Sequence, residues 1–272
     1  MPELALVITT DEYGGQRARF ARYFLDLIGR PDVPVVRGSD LGNTRLYCVD
    51  GLTPPDVPEQ PTDVAAAVEA VCAATSGPVR WVGMGPLSNL SALQTDRPDL
   101  VERLVVTQMG GAIVYRDPTR AEHNFRVAPA AAIHMLGVLE LPALVVSDIT
   151  FNPAVEITRD SPIYQRWTAG DAPAWAKLLK THLDRWTTNY PGSMQHDGLT
   201  LAAALYWPGI RFVREQVVLD ELGRMSRSAD GVEIKISIEA HYGDFMDWLA
   251  ERLSRPQAVT PTPVPEVGLR YG

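Results

Sequence analysis

Leu4-Ala5-Leu6-Val7-Ile8-Thr9-Thr10 reads as a buried parallel strand: continuous, apolar and β-branched toward its end. Arg17 to Ile28 follows as an amphipathic helix, with Phe20, Tyr23, Phe24, Leu27 and Ile28 at spacings of three and four. Gly29-Arg30-Pro31 stops that helix, and Val33 to Arg37 gives a second short strand. This βα pattern recurs along the chain.

Helices are expected at Asp63 to Thr75, Ser88 to Gln94, Pro129 to Leu139, Ala172 to Tyr190, from Leu199 to Leu205, and at Gly243 to Leu253. Strands are expected at Arg80 to Met84, Leu104 to Gln108 and Ala143 to Ser147, with a hairpin or ribbon from Val217-Val218-Leu219 and Val232 to Ile238. Leu41 to Gln60, rich in Gly and Pro, reads as a long surface loop. Alternating βα units with short turns imply an α/β fold: an open, mostly parallel sheet with helices on both faces. Residues 1–254 form one such domain. Residues 255–272 are a Pro-rich C-terminal tail.

The chain has 272 residues, enough for one large domain, and its 46% apolar content fits a folded core. A formal net charge of −8 argues against a nucleic-acid partner. No apolar run is long enough to span a bilayer. The N-terminus lacks the basic region of a signal peptide. Cys48 and Cys72 give no disulfide framework, so a cytoplasmic setting is the default. Nothing in the sequence fixes the oligomeric state, and a homo-oligomer stays open.

Polar clusters follow the apolar runs. Met109-Gly110-Gly111 ends a strand with close backbone approach. Glu122 and Asn124, two residues apart on an extended loop, could both reach one ligand. The plainer reading is that Glu122 caps the helix near Pro129 while Asn124 supports a turn. His196 and Asp197 precede the Leu199 helix, where Asp197 could simply be the N-cap. His123, His134, His182 and His241 read as surface or structural residues. In an open α/β sheet, loops at one edge converge where ligands bind.

Taken in order, Gly85-Pro86-Leu87-Ser88-Asn89, Met109-Gly110-Gly111-Ala112, Ala121-Glu122-His123-Asn124 and His196-Asp197 resemble the inosine/uridine-preferring nucleoside hydrolase family. That family has a GPLTN-like turn, an MGGA strand end, an AEFN-like segment and a late HD pair. The resemblance runs from about residue 4 to about residue 253. It implies hydrolysis of N-glycosidic bonds in nucleosides or nucleoside-like small molecules. It implies that Asp197 binds calcium and ribose, that His196 assists the departing base as a proton donor, and that Glu122 and Asn124 hold the sugar. Asp117 stands where the family often has a substrate-binding Asn, a departure that would change sugar recognition. A main-chain carbonyl, at Gln108 here, would complete the metal shell. Asn89 would brace the site, and Asp148 matches a strand end with a structural role.

The family's opening DTDPGIDD-like loop, whose aspartates hold calcium, has no counterpart. Two alignments compete. In one, Val7-Ile8-Thr9-Thr10 matches the family's second strand and the opening unit is missing. In the other, Thr9-Thr10-Asp11 stands in for the opening, and Asp11 supplies one ligand. Under either, a full aspartate set cannot be assembled, so calcium binding is expected to be weak or absent. A metal site rearranged around Asp11, Glu12 and Asp197 matches no spacing rule. The competing reading is a non-catalytic nucleoside- or sugar-binding protein or subunit that has lost the calcium site. A start placed inside a longer reading frame would also account for the missing loop.

Overall fold

The computed structural model describes residues 3–42 and 48–254. Strand β1 (Val7–Ile8) pairs in parallel with β2 (Val35–Val36), joined by helix α1 (Gln16–Leu27). The expected Leu4–Thr10 strand is thus reduced to its centre. Pro34 bounds the partner strand, and a proline has no N–H to give to a ladder. Two further bonds extend the contact, Val7 N–H to Pro34 O and Thr9 N–H to Val36 O, each 3.0 Å.

Helix α2 (Val64–Ala73) starts at Asp63, whose carboxylate accepts from Ala66 N–H at 2.9 Å. Then come β3 (Val79–Gly83), α3 (Ser88–Asp96), α4 (Pro98–Val101), β4 (Leu104–Met109), α5 (His123–Val127), α6 (Pro129–Val138) and β5 (Ala143–Val145). The third section holds α7 (Ser147–Thr150), β6 (Glu156–Thr158), α8 (Pro162–Trp167), α9 (Ala174–Trp186), β7 (Gly192–Met194) and α10 (His196–Ala204). The chain ends its described course with β8 (Ile210–Leu219), β9 (Met225–Arg227), β10 (Val232–Ala240) and α11 (Tyr242–Ser254).

The main sheet has the order β3-β4-β5-β10-β8-β9. The first four strands run parallel, and β8 and β9 are antiparallel to their neighbours. The expected ribbon is therefore real, but β10 leaves it to pair with β5 (Lys235 opposite Ala143). Neighbouring residues of a strand face opposite sides. Leu144 lies in the core shared with α2, α3 and α6, while Val145 lies in the core shared with α10 and α11. Helices thus cover both faces, as expected for an α/β fold. A third cluster joins α8 and α9, and a fourth joins α1 to β1 and β2.

Several boundaries differ from expectation; β8 starts at Ile210, well before Val217. Ser147 opens α7 instead of ending β5, and α10 begins at His196, three residues earlier than Leu199. The loop expected over residues 41–60 carries no helix or strand among its described residues, 41–42 and 48–60. It is tied down by arginines. Arg19 donates to the carbonyls of Val57, Pro54 and Pro55, and Arg185 to those of Cys48 and Asp50. The Pro-rich tail lies outside the described residues. Cys48 and Cys72 are not bonded to each other. No described helix is long and apolar enough to cross a membrane.

Candidate functional site

The carboxyl ends of β1, β3, β4 and β5 carry, in turn, Thr9 to Glu12, Met84-Gly85, Gly110-Gly111 and the α7 segment. The starts of α5 and α10 come to the same edge. Asn89, at the start of α3, locks part of this edge. Its Nδ2 donates to Thr9 O at 2.8 Å, and its Oδ1 accepts from Ser39 N–H at 2.8 Å and Ser39 Oγ at 2.9 Å. This is the bracing role expected of it.

Glu122 and Asn124 do not sit on an extended loop. Glu122 is the N-cap of α5, a helix of its own just before Pro129, and Asn124 is in its first turn. The polar clusters themselves create this helix. Glu122 Oε2 accepts from Asn124 N–H (2.9 Å), Gly111 N–H (3.2 Å) and Phe125 N–H (3.3 Å). Gly111 has φ +72°, so its N–H is aimed by a conformation that glycine adopts without cost. Glu122 Oε1 makes no hydrogen bond to a described residue. Asn124 is similar. Its Nδ2 donates to the carbonyls of Met109 (3.0 Å) and Met84 (3.3 Å), while Oδ1 is left for another partner. Each side chain braces the strand ends with one end and offers the other.

Asp197 is not the N-cap of α10. That place belongs to Gln195, and Asp197 lies within the first turn, where a carboxylate faces the positive end of the helix. It makes no hydrogen bond to a described residue. It is exposed to solvent yet crowded by protein. That crowding, and then the charge of Glu122, push its carboxyl up to about 7. Burial likewise raises the Glu122 carboxyl, against the pull of its three N–H donors. The charge of Glu122 thus reaches Asp197 and opposes its ionisation.

His196 Nδ1 lies 2.8 Å from Thr150 Oγ1. Its ring is near-parallel to Phe151 (6.3 Å between centroids, 16°), and Arg116 covers the other part of Phe151 at 4.2 Å. Burial, and then Arg116, push the imidazole down to about 4. At neutral pH it is uncharged, so anything it donates comes from a neutral N–H. Thr150, Phe151 and Arg116 were not singled out from sequence. The only signal was that Thr150 ends the Ser147-Asp148-Ile149-Thr150 segment.

The other candidates have local partners. Asp117 Oδ1 accepts from Thr119 N–H (3.0 Å) and Thr119 Oγ1 (2.6 Å), which closes a turn and lowers its carboxyl below the usual range. Asp148 accepts from the N–H groups of Ile113 (2.9 Å) and Val114 (2.8 Å), clamping the loop after the glycine pair. Gln108 lies inside β4, opposite Gly83 and Leu144. Its side-chain amide donates to the carbonyls of Gly85 (2.8 Å) and Met109 (2.6 Å). His123 stands beside Arg126, His134 bonds Ser91, His182 contacts the Phe20 ring and His241 pairs with Asp244.

A calcium ion needs about six to eight oxygens. Glu12 is fully buried, and its carboxylate accepts from Thr9 Oγ1 and from the N–H groups of Tyr13 (3.2 Å) and Arg17 (3.1 Å), at the start of α1. Asp11, at φ +49°, has the Arg17 guanidinium on its carbonyl (2.6 Å) and 3.9 Å from its carboxylate. A fixed cation thus stands beside the very carboxylate that would take a metal. The carbonyls of Met84 and Met109 already hold Asn124. As arranged here, Asp11, Glu12 and Asp197 do not fit a calcium cage.

Known structures share this architecture. The inosine-uridine preferring nucleoside hydrolase from Bacillus anthracis superposes with a TM-score of 0.72 at 18% identity, over 91% of this chain and 88% of that one. The purine-preferring ribonucleoside hydrolase from Gardnerella vaginalis gives 0.73 at 18% identity, over 91% and 88%. The type III effector protein XopQ, solved with adenosine diphosphate ribose, gives 0.68 at 17% identity, over 92% and 84%. No curated protein sequence matches the chain. The family model for inosine-uridine preferring nucleoside hydrolases matches residues 6–260. The chain therefore belongs to that family, hydrolases of the N-glycosidic bonds of nucleosides.

Proposed function

We propose that this chain hydrolyses nucleosides at a site formed by Glu122, Asn124, His196 and Asp197. The observation that carries the reading is geometric: Glu122 and Asn124 are held at the ends of β3 and β4, and His196 is held by Thr150 just past the end of β5. Cleavage of the C1′–N bond gives the sugar oxocarbenium character. Carboxylates at the site gain most when positive charge develops on the sugar, which stabilises the transition state more than the substrate. Glu122 Oε1 and Asn124 Oδ1 accept sugar hydroxyls. Asp197 takes the proton of the attacking water. The bond electrons pass to the base, beside His196. Asp117, held in its own turn by Thr119, would tune sugar preference only through the shape of that loop.

Calcium is not part of this scheme, and we expect isothermal titration to show weak binding or none. Tight, stoichiometric uptake would point to Asp11 and Asp197 as ligands after rearrangement around Arg17. A cytoplasmic location accords with the cysteine usage, and cell fractionation would check it. The substrate's sugar remains a ribose-like ring, for which the neighbour bound to adenosine diphosphate ribose is a precedent of shape only.

The test is an assay with inosine, uridine, adenosine and cytidine, with and without calcium. Turnover should appear with at least one nucleoside and vanish in Asp197→Asn. Undiminished turnover in that variant would overturn the mechanism. Binding of nucleoside or ribose without any turnover would favour the non-catalytic reading.

A further inference from the structure

Resting on the reading that His196 stands beside the departing base, we propose that Thr150 is a positioning residue that fixes the His196 ring in its Nε2–H form. Thr150 is fully buried, and its hydroxyl has one hydrogen-bond partner among the described residues, His196 Nδ1 at 2.8 Å. Other helical threonines behave differently. Thr95, Thr181 and Thr200 turn their hydroxyls back to the carbonyl four residues earlier, each at 3.0 Å. Thr150 makes no such bond: Val146 O accepts the N–H groups of Ile149 and Thr150, not the Thr150 hydroxyl.

The proton inventory then decides the tautomer. A hydroxyl has one donor, and an imidazole nitrogen either donates or accepts. If Nδ1 carried hydrogen, it would donate to Thr150 Oγ1, and the buried hydroxyl proton would have no acceptor. If Thr150 donates to Nδ1, the buried hydroxyl is satisfied and the one hydrogen left over is the ring's own, on the side away from Thr150. The second arrangement puts the ring hydrogen on Nε2, the nitrogen away from Thr150. The next residue, Phe151, lies along the ring face. Two consecutive side chains thus set the imidazole's tautomer and its plane.

The chemistry follows. As the C1′–N bond breaks, its electron pair goes to the base nitrogen, and the Nε2–H hydrogen bond stabilises the charge that forms there. Water's oxygen bonds C1′, its proton passes to Asp197 and solvent, and the base collects its proton from solvent. Without Thr150's hydroxyl, the ring could present a bare Nε2 lone pair to the leaving base.

The experiment compares Thr150→Val and Thr150→Ser on inosine and on 4-nitrophenyl β-ribofuranoside, whose leaving group needs no hydrogen-bond help. Thr150→Val should lower kcat on inosine about 10²-fold with little change in KM, the scale expected of a misplaced catalytic group. It should leave the nitrophenyl substrate within a few-fold of the parent, and Thr150→Ser should restore inosine turnover. Equal losses on both substrates, or failure of the serine variant, would make Thr150 a packing residue and overturn the proposal. If the parent protein cleaves neither substrate, the hydrolase reading itself falls. Nitrogen NMR of His196 then still decides: hydrogen on Nε2 in the parent, and its loss in Thr150→Val, sustain the assignment, while hydrogen on Nδ1 ends it.

Discussion

Glu122 uses its two oxygens for different ends, and a substitution can separate them. Glu122→Gln keeps a carbonyl that can accept from Gly111, Asn124 and Phe125 but removes the charge from the other end. We expect an intact fold with KM for nucleosides raised about 10–100-fold, since a hydrogen bond to a charged acceptor contributes roughly 1.5–3 kcal/mol. Steady-state kinetics beside a thermal melt would separate the two effects. His196 supplies a pH test. Its folded pKa, about 4, lies below its unfolded value near 6.5, so the unfolded chain binds the proton that the fold resists. The contribution is complete above pH 6.5 and is lost as pH falls toward 4. His196→Gln should therefore lose less melting temperature than the parent between pH 7 and 5. At this scale the sequence was half legible. The His-Asp and Glu-x-Asn pairs could be found as motifs. That Glu122 caps a helix near Pro129 could be read as well; that this helix is a separate one of five residues, and that Asp197 stands in the first turn of α10, could not. Such a short helix shows no periodicity, and its cap is a glutamate where Ser, Thr, Asp or Asn is the usual signal.

Among elements, the β1–β2 pair is attached to the rest partly through one side chain. Asn89→Ala should remove all three bonds to Thr9 and Ser39 and cost about 1–3 kcal/mol, the usual penalty for orphaned buried polar groups. Urea denaturation would measure the loss. Hydrogen exchange at the Ser39 amide should quicken more than at β4 amides; uniform acceleration would mean that Asn89 supports the fold generally. Long helices such as α1, α9 and α11 were legible, because apolar spacing reports a buried face directly. The strands β6, β7 and β9, at three residues each, were not, since so few residues carry no alternation.

The whole molecule joins its site to its core through α10. Leu199, one turn beyond His196, is fully buried with Phe245 of α11 in the same cluster. Phe245→Ala should cost about 3–5 kcal/mol and, by loosening the seat of α10, depress kcat in the fraction that stays folded. A melt and an active-site titration would show both. The parallel sheet was legible from βα alternation, but its strand order was not, because local pattern says nothing about which distant segment arrives beside β5. That partner is β10, in contact also through Ser237 Oγ and Val146 N–H at 3.0 Å, 91 residues apart. During synthesis, the sheet must wait. A nascent chain that has delivered β3, β4 and β5 to the tunnel exit still shows β5 as an open, apolar edge, and such edges invite pairing between chains. Ribosome-stalled chains ending before Val232 should recruit holdase chaperones, and those extended past Ala240 should shed them. The sheet is therefore shielded only once Val232–Ala240 has emerged.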